Sequence, residues 1–162
     1  MNLVKNIKSI FSPTNIYAHC DIPCGIYDPI AAKIAAQTVL KMVMKMEDID
    51  LSGGVSRVEQ PNTVARFIRV KEDHAQEVKN ELNILWSDYF KPEHLEKYPN
   101  LHDLFWNANK LAGANKQNVS SESAKQLVEA VDEISRIFWE SKGVTYSDPN
   151  AVSYTHLRAH ET

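Results

Sequence analysis

Residues 28–48, DPIAAKIAAQTVLKMVMKMED, decide the fold. Asp28 is a natural N-cap, and Pro29 suits the first helical position, where an N–H would have no partner anyway. Ile30 and Ile34 lie four apart, and Val39, Val43 and Met46 follow at intervals of four and three, the repeat of a helical face. Met42, Met44 and Met46 read as adaptable core filler of that helix rather than as metal ligands. The pattern stops at about Asp48; Ser52-Gly53-Gly54 breaks the helix and Gln60-Pro61-Asn62 closes the connection.

Toward the C-terminus, Val64, Ile68, Ala75, Val78, Leu82 and Leu85 set an apolar stripe over a second helix, from about Asn62 to Ser87. His74 lies beside that stripe and, on the residues alone, reads as a solvated or hydrogen-bonded side chain. Pro92 disfavours helix at Lys91, so the chain turns there. Trp86, Tyr89 and Phe90 read as cover for the end of a core. Leu101, Leu104, Phe105, Ala108 and Leu111 mark a third helix, begun near Pro99 and ended by Gly113. Ser120 or Ser121 opens a fourth, where Leu127, Val131, Ile134 and Phe138 recur at four, three and four and Gly143 suits the C-terminal cap. Helices of this length with short connections predict an all-α, antiparallel four-helix bundle. Only five glycines among 162 residues agree with helices over a turn-rich β architecture. Residues 144–162 show no core stripe and read as a disordered or extraneous tail; His156 and His160, four apart, are weak metal candidates there.

Composition bounds the function. The length suits one domain with a real core, and 43% hydrophobic with 24% charged residues is ordinary for a globular protein. A formal charge of -3 argues against a nucleic-acid binder, whose surface is basic. No apolar run approaches the roughly 20 residues of a membrane span.

Ahead of the bundle, residues 19–29 read HCDIPCGIYDP and hold both cysteines of the chain. A glycine and two prolines make this stretch an irregular loop. By spacing alone, Cys20 and Cys24 admit a small disulfide, a redox pair or two metal ligands. His19 directly before Cys20 adds an imidazole, and soft sulfur with imidazole suits a transition metal. Residues 1–18 carry Lys5 and Lys8 but lack the apolar h-region of a secretory signal, so a cytoplasmic location is expected. They read as a frayed start or as a short pro-segment. Cleavage after Ala18 would give His19 a free α-amine beside its imidazole.

The loop resembles the metal hook of the nickel superoxide dismutase family. Trp86-Ser87-Asp88-Tyr89-Phe90-Lys91-Pro92 resembles that family's second signature, and Glu96-Lys97-Tyr98-Pro99 follows in the family's order. The resemblance covers about Ala18 to Lys142. It implies disproportionation of superoxide to oxygen and hydrogen peroxide, with one nickel ion per subunit. The implied ligands are His19 through its α-amine and imidazole, Cys20 through its amide nitrogen and thiolate, and Cys24 through its thiolate. Thiolates and a deprotonated amide stabilise Ni(III), and four donors in a plane suit Ni(II), whereas zinc in a tetrahedral site would be redox-inert. The resemblance further implies a homohexamer and a maturation peptidase cutting between Ala18 and His19.

Within that resemblance Tyr27 would sit over the open face of the metal and keep larger anions out, so Tyr27 and His19 carry the catalytic expectation. Asp21 and Pro23 would shape the loop, while Tyr89 and Lys91 would lie near the entrance, Lys91 attracting the anion. Better-known members steady the axial imidazole with a glutamate and an arginine, where this chain has Ala35 and His74; His74 is therefore a candidate for the orienting role. The expected organisation is a pro-segment at 1–18, a bundle at 19–143 with its hook at 19–27, and a tail at 144–162. A rival reading with the same donors is a nickel or copper carrier. The blandest is a helical interaction protein with a small disulfide.

Overall fold

Helix α1 (Ile30–Glu47) starts one residue later than expected, with Pro29 as its N-cap and Ile30 as its first residue. The Asp28 carboxylate accepts from the Ile30 N–H at 2.8 Å, and the Pro29 carbonyl accepts the first helical bond from Lys33 at 3.1 Å. The structure is a computed structural model, and it describes residues 25–49 and 58–146. The expectations for residues 1–18, for His19, Cys20, Asp21, Pro23 and Cys24, and for His156 and His160 therefore lie outside the described residues.

The chain continues through α2 (Glu59–Ile84), a single π-turn (Leu85–Tyr89), a short α3 (Pro92–Lys97), α4 (Leu101–Gln117) and α5 (Ser121–Ser141). No strand occurs among the described residues. Helix α1 packs on α2 and α5, and α4 packs on the same two, so the four long helices close a ring. Two contacts fix their directions. The Ser121 N–H at the start of α5 donates to Glu47 at the end of α1, at 2.9 Å. Trp86, just past α2, lies 5.2 Å (ring centroids) from Phe105 in the first turns of α4. Neighbouring helices are therefore antiparallel, as the four-helix reading expects.

The core is Ala32, Ala35, Ala36, Val39, Leu40 and Val43 of α1 against Ala75, Val78 and Leu82 of α2, with Phe105, Ala108, Leu127, Val131, Ile134 and Phe138 opposite. Each large side chain buried here contributes about 1.5–3 kcal/mol. The inward face of α1 is set by its alanines, which let the helices approach closely. Ile34 points out, 53% exposed, contrary to the expected stripe. On α2 the stripe holds from Ala75 onward, but Ile68 is exposed. A helix of 26 residues rises about 39 Å and α1, with 18, about 27 Å, so the two cannot cover each other along their full lengths.

Both ends of α4 differ from expectation, whereas those of α5 agree with it. Helix α4 begins at Leu101 and runs through Gly113 to Gln117. Gly113 keeps negative φ, and a Cβ there would meet only the Lys79 ammonium at 3.9 Å, so nothing in its conformation stops the helix. Helix α5 is capped by the Ser120 hydroxyl, which accepts from the Ser123 N–H at 3.2 Å, and its end is reversed by Gly143 at φ 74°.

Candidate metal centre

The π-turn aims the key aromatic residue. Phe90 donates its N–H to Leu85 five residues back, at 3.1 Å. The buried stripe Ala75, Val78, Leu82, Leu85 therefore passes next to Phe90, and Tyr89 is set to the side of the core. Its ring lies 4.5 Å from Phe138, 5.0 Å from Phe90 and 5.7 Å from Tyr27. Tyr27 reaches that position across Gly25, whose φ of 68° is open to glycine and costly for most other residues. Thus the chain leaving the cysteine loop turns, lays Tyr27 on Tyr89 and enters α1.

Around Tyr89 stand residues that sequence reasoning passed over. His94 of α3 stacks on its ring at 5.6 Å with planes 14° apart. The Lys91 N–H donates to His94 Nδ1 at 2.9 Å, and the His94 N–H returns to the Lys91 carbonyl at 2.9 Å. The Lys91 side chain is exposed. The Tyr89 hydroxyl meets Ser141 Oγ at 2.5 Å. Lys142 Nζ lies 5.4 Å from the Tyr89 ring and 4.6 Å from that of Phe138. Ser141 of α5 and Lys142 just past it follow Phe138 by three and four residues, and that spacing was the available signal.

His74 is half-buried on α2, and its Nδ1 donates to the Val70 carbonyl at 2.8 Å. A carbonyl only accepts, so in the neutral ring Nε2 is the nitrogen able to accept from a partner. Ala35 is buried in the core. Nearer the loop root, Lys33 is 2% exposed; its ammonium is 2.8 Å from Asp132 and also donates to the Tyr146 hydroxyl. Residues 144–146, counted with the tail by sequence, thus contact the bundle.

Among the described residues no three of His, Cys, Asp and Glu gather to hold a metal. The donors with the right chemistry are His19, Cys20 and Cys24, a few residues ahead of Gly25. An imidazole, two thiols and a potential α-amine fit a thiophilic, redox-active ion, and the tyrosine pair at the loop root fits a site that restricts access.

A helical bundle with such a loop at its head defines a small redox metalloprotein. The profile of the family described as nickel-containing superoxide dismutase matches residues 14–142. A superoxide dismutase [Ni] from Streptomyces coelicolor is 36% identical over 137 residues, covering 84% of this chain and 98% of the relative. The same figures hold for the Streptomyces seoulensis enzyme. A native nickel superoxide dismutase structure superposes with a TM-score of 0.68 at 38% identity, covering 76% of this chain and 99% of the other. The chain belongs to the nickel-containing superoxide dismutase family.

Proposed function

We infer that this chain disproportionates superoxide to oxygen and hydrogen peroxide, with nickel as its cofactor, one ion per subunit. The observation that carries the reading is the family match, which runs through the His19–Tyr27 loop and both members of the tyrosine pair. It favours an enzyme over a metal carrier. Nickel, when bound, supplies the one-electron couple that disproportionation needs. His19, Cys20 and Cys24 would hold it, the thiolates favouring its higher oxidation state. Asp21 and Pro23 shape the loop. Tyr27 and Tyr89 restrict the approach to small anions, and the ammonium groups of Lys91 and Lys142 raise the local concentration of an anion despite the net negative charge. His74, with Nε2 as acceptor, orients the His19 imidazole in place of the family's arginine.

Maturation completes this reading. Removal of residues 1–18 by a peptidase frees the His19 α-amine, and the expected tail at 144–162 is extraneous beyond the residues 144–146 that contact the bundle. The family's hexamer is supported by apolar exposure at the loop root, where Ile26 is 60% and Ile34 is 53% exposed. A cytoplasmic location belongs to the same proposal. The test is metal content and superoxide turnover of protein beginning at His19 against the full chain. The shortened protein should carry nickel and turn over rapidly. Equal turnover by the uncut chain would refute the α-amine ligand.

A further inference from the structure

We propose that Ser141 is a positioning residue that acts through Tyr89 to hold Tyr27 in place, and so sets which anions reach the nickel loop. The inference rests on the reading of that loop as the nickel site. Its geometry is a one-way hydrogen-bond chain. The Ser141 hydroxyl donates its single proton to the Phe138 carbonyl at 2.6 Å. It can therefore only accept from the Tyr89 hydroxyl, 2.5 Å away. The helix end explains why the carbonyl takes this proton. The backbone N–H groups of Lys142 and Val144 go to Trp139, and that of Gly143 goes to Glu140. The Phe138 carbonyl is then matched by the side chain of Ser141.

The neighbours of Tyr89 leave one degree of freedom for this bond to fix. His94 stacks on the ring, and Phe90 and Phe138 meet it at 84° and 46°. Ring packing resists sideways motion and is weaker against tilt along the phenol axis. The hydroxyl bond pins that axis at its far end. Tyr27, tilted 56° to Tyr89 at 5.7 Å, rests on the ring so pinned. Loss of the acceptor would let Tyr89 tilt and loosen Tyr27. Anions larger than superoxide would then enter more easily.

The experiment compares wild type with Ser141→Ala, Ser141→Thr and Tyr89→Phe, using the chain matured at His19. Azide, a small linear monoanion, is the probe in the nickel-loaded protein. Ser141→Ala should tighten azide binding about fivefold, the equivalent of one ordinary hydrogen bond, with unchanged nickel content. Ser141→Thr keeps the acceptor and should bind azide as wild type does. A readout without metal uses apo protein carrying 3-fluorotyrosine, with the Tyr27 fluorine line assigned by its loss in Tyr27→Phe. That line should shift or broaden in Ser141→Ala and return in Ser141→Thr. Should Ser141→Ala fail to fold, Tyr89→Phe breaks the same bond from the other side and must move the same two observables. A lower melting temperature with unchanged azide affinity and fluorine line would overturn the proposal, as would an equal azide change in Ser141→Thr. A wild type that takes up no nickel would instead refute the metal reading, and the fluorine result would still decide the role of Ser141.

Discussion

At one end of the bundle a buried lysine closes a helix; at the other, a ring of aromatic side chains closes the fold. Lys71, 2% exposed, donates to the carbonyls of Asn115, Lys116 and Asn118 at 2.5, 2.9 and 3.0 Å, capping α4 from α2. Asn115 beside it donates to the Leu111 carbonyl and to the Ser123 carbonyl and hydroxyl. Burial pushes the Lys71 ammonium below its usual value, the neighbouring Glu72 opposing, while three carbonyl acceptors favour the charged form. About 27 Å away, at 1.5 Å per residue over the 18 residues from Ser123 to Ser141 of α5, Tyr89 makes its one hydroxyl bond, and ring packing supplies the rest. The polar end uses directional bonds that specify one arrangement. The aromatic end uses packing that tolerates small displacement. At the Lys71 end the helix terminus is held by three directional bonds, and at the opposite end the Tyr89 ring is held by one hydroxyl bond and its packing.

The sharpest contrast comes from the sulfurs. Cys20→Ser and Cys24→Ser should each lower superoxide turnover by orders of magnitude, since a neutral hydroxyl cannot replace a thiolate. The thermal stability of the metal-free protein should hardly change. Pulsed generation of superoxide and a melting curve measure both; near-normal turnover in either variant would end the two-thiolate site. Lys71→Met is the mirror experiment. It strips three carbonyls of their donor and should cost about 2–3 kcal/mol, or roughly 5–10 °C in melting temperature. Turnover per folded molecule should be retained, and its loss would mean the two ends are coupled.

A smaller effect is expected at the loop root. Truncation before Val144 removes the Tyr146 hydroxyl from Lys33, whereas truncation after Tyr146 keeps it. The first should be less stable than the second by about 1 kcal/mol in urea unfolding; equal midpoints would show that Asp132 alone satisfies Lys33. The smallest effect belongs to the surface cluster of Arg136 with Glu133 and Glu140. The Arg136 hydrogen bond holds the Glu133 carboxyl below its usual range, with burial opposing. Its contribution is therefore complete above the unfolded glutamate range and is lost as pH falls through the lowered folded value. Both side chains are about two-fifths exposed, so solvent screening keeps the effect under about 1 kcal/mol. Acid unfolding of Arg136→Gln should show a slightly flatter pH dependence below pH 5, and a larger change would contradict the exposed placement.

Much of the fold was legible because its signals are local. Asp28 and Ser120 accept from backbone N–H groups two and three residues on, Pro29 and Gly143 act through their own φ, and the four mark the helix ends to within one residue. Gly113 misled because glycine stops a helix only when the chain needs positive φ, and here Lys71 and Asn115 carry α4 onward from other elements. Ile34 misled because alanine, a weak marker in a stripe, decides which face can approach a neighbour. The ligand set is implied by the family resemblance of the 19–29 stretch, since the spacing of Cys20 and Cys24 alone leaves a disulfide, a redox pair and two ligands open. Tyr27 and Tyr89 were legible as site residues, and their contact required the fold. Ser141, His94 and Lys142 were not, since each matters only through a ring that tertiary packing brings to it.

The π-turn has a consequence for how such chains are compared. A helix advances about 100° per residue, so one added residue changes the angular phase of everything after it. Here the added residue sends Phe90 inward and leaves Tyr89 to meet Tyr27. Chain length between Leu85 and Phe90, rather than residue type alone, aims the tyrosine. A relative with a single-residue deletion there could keep the tyrosine, serine and histidine and still lose their meeting point. Gaps in this segment therefore carry more functional weight than most substitutions around it.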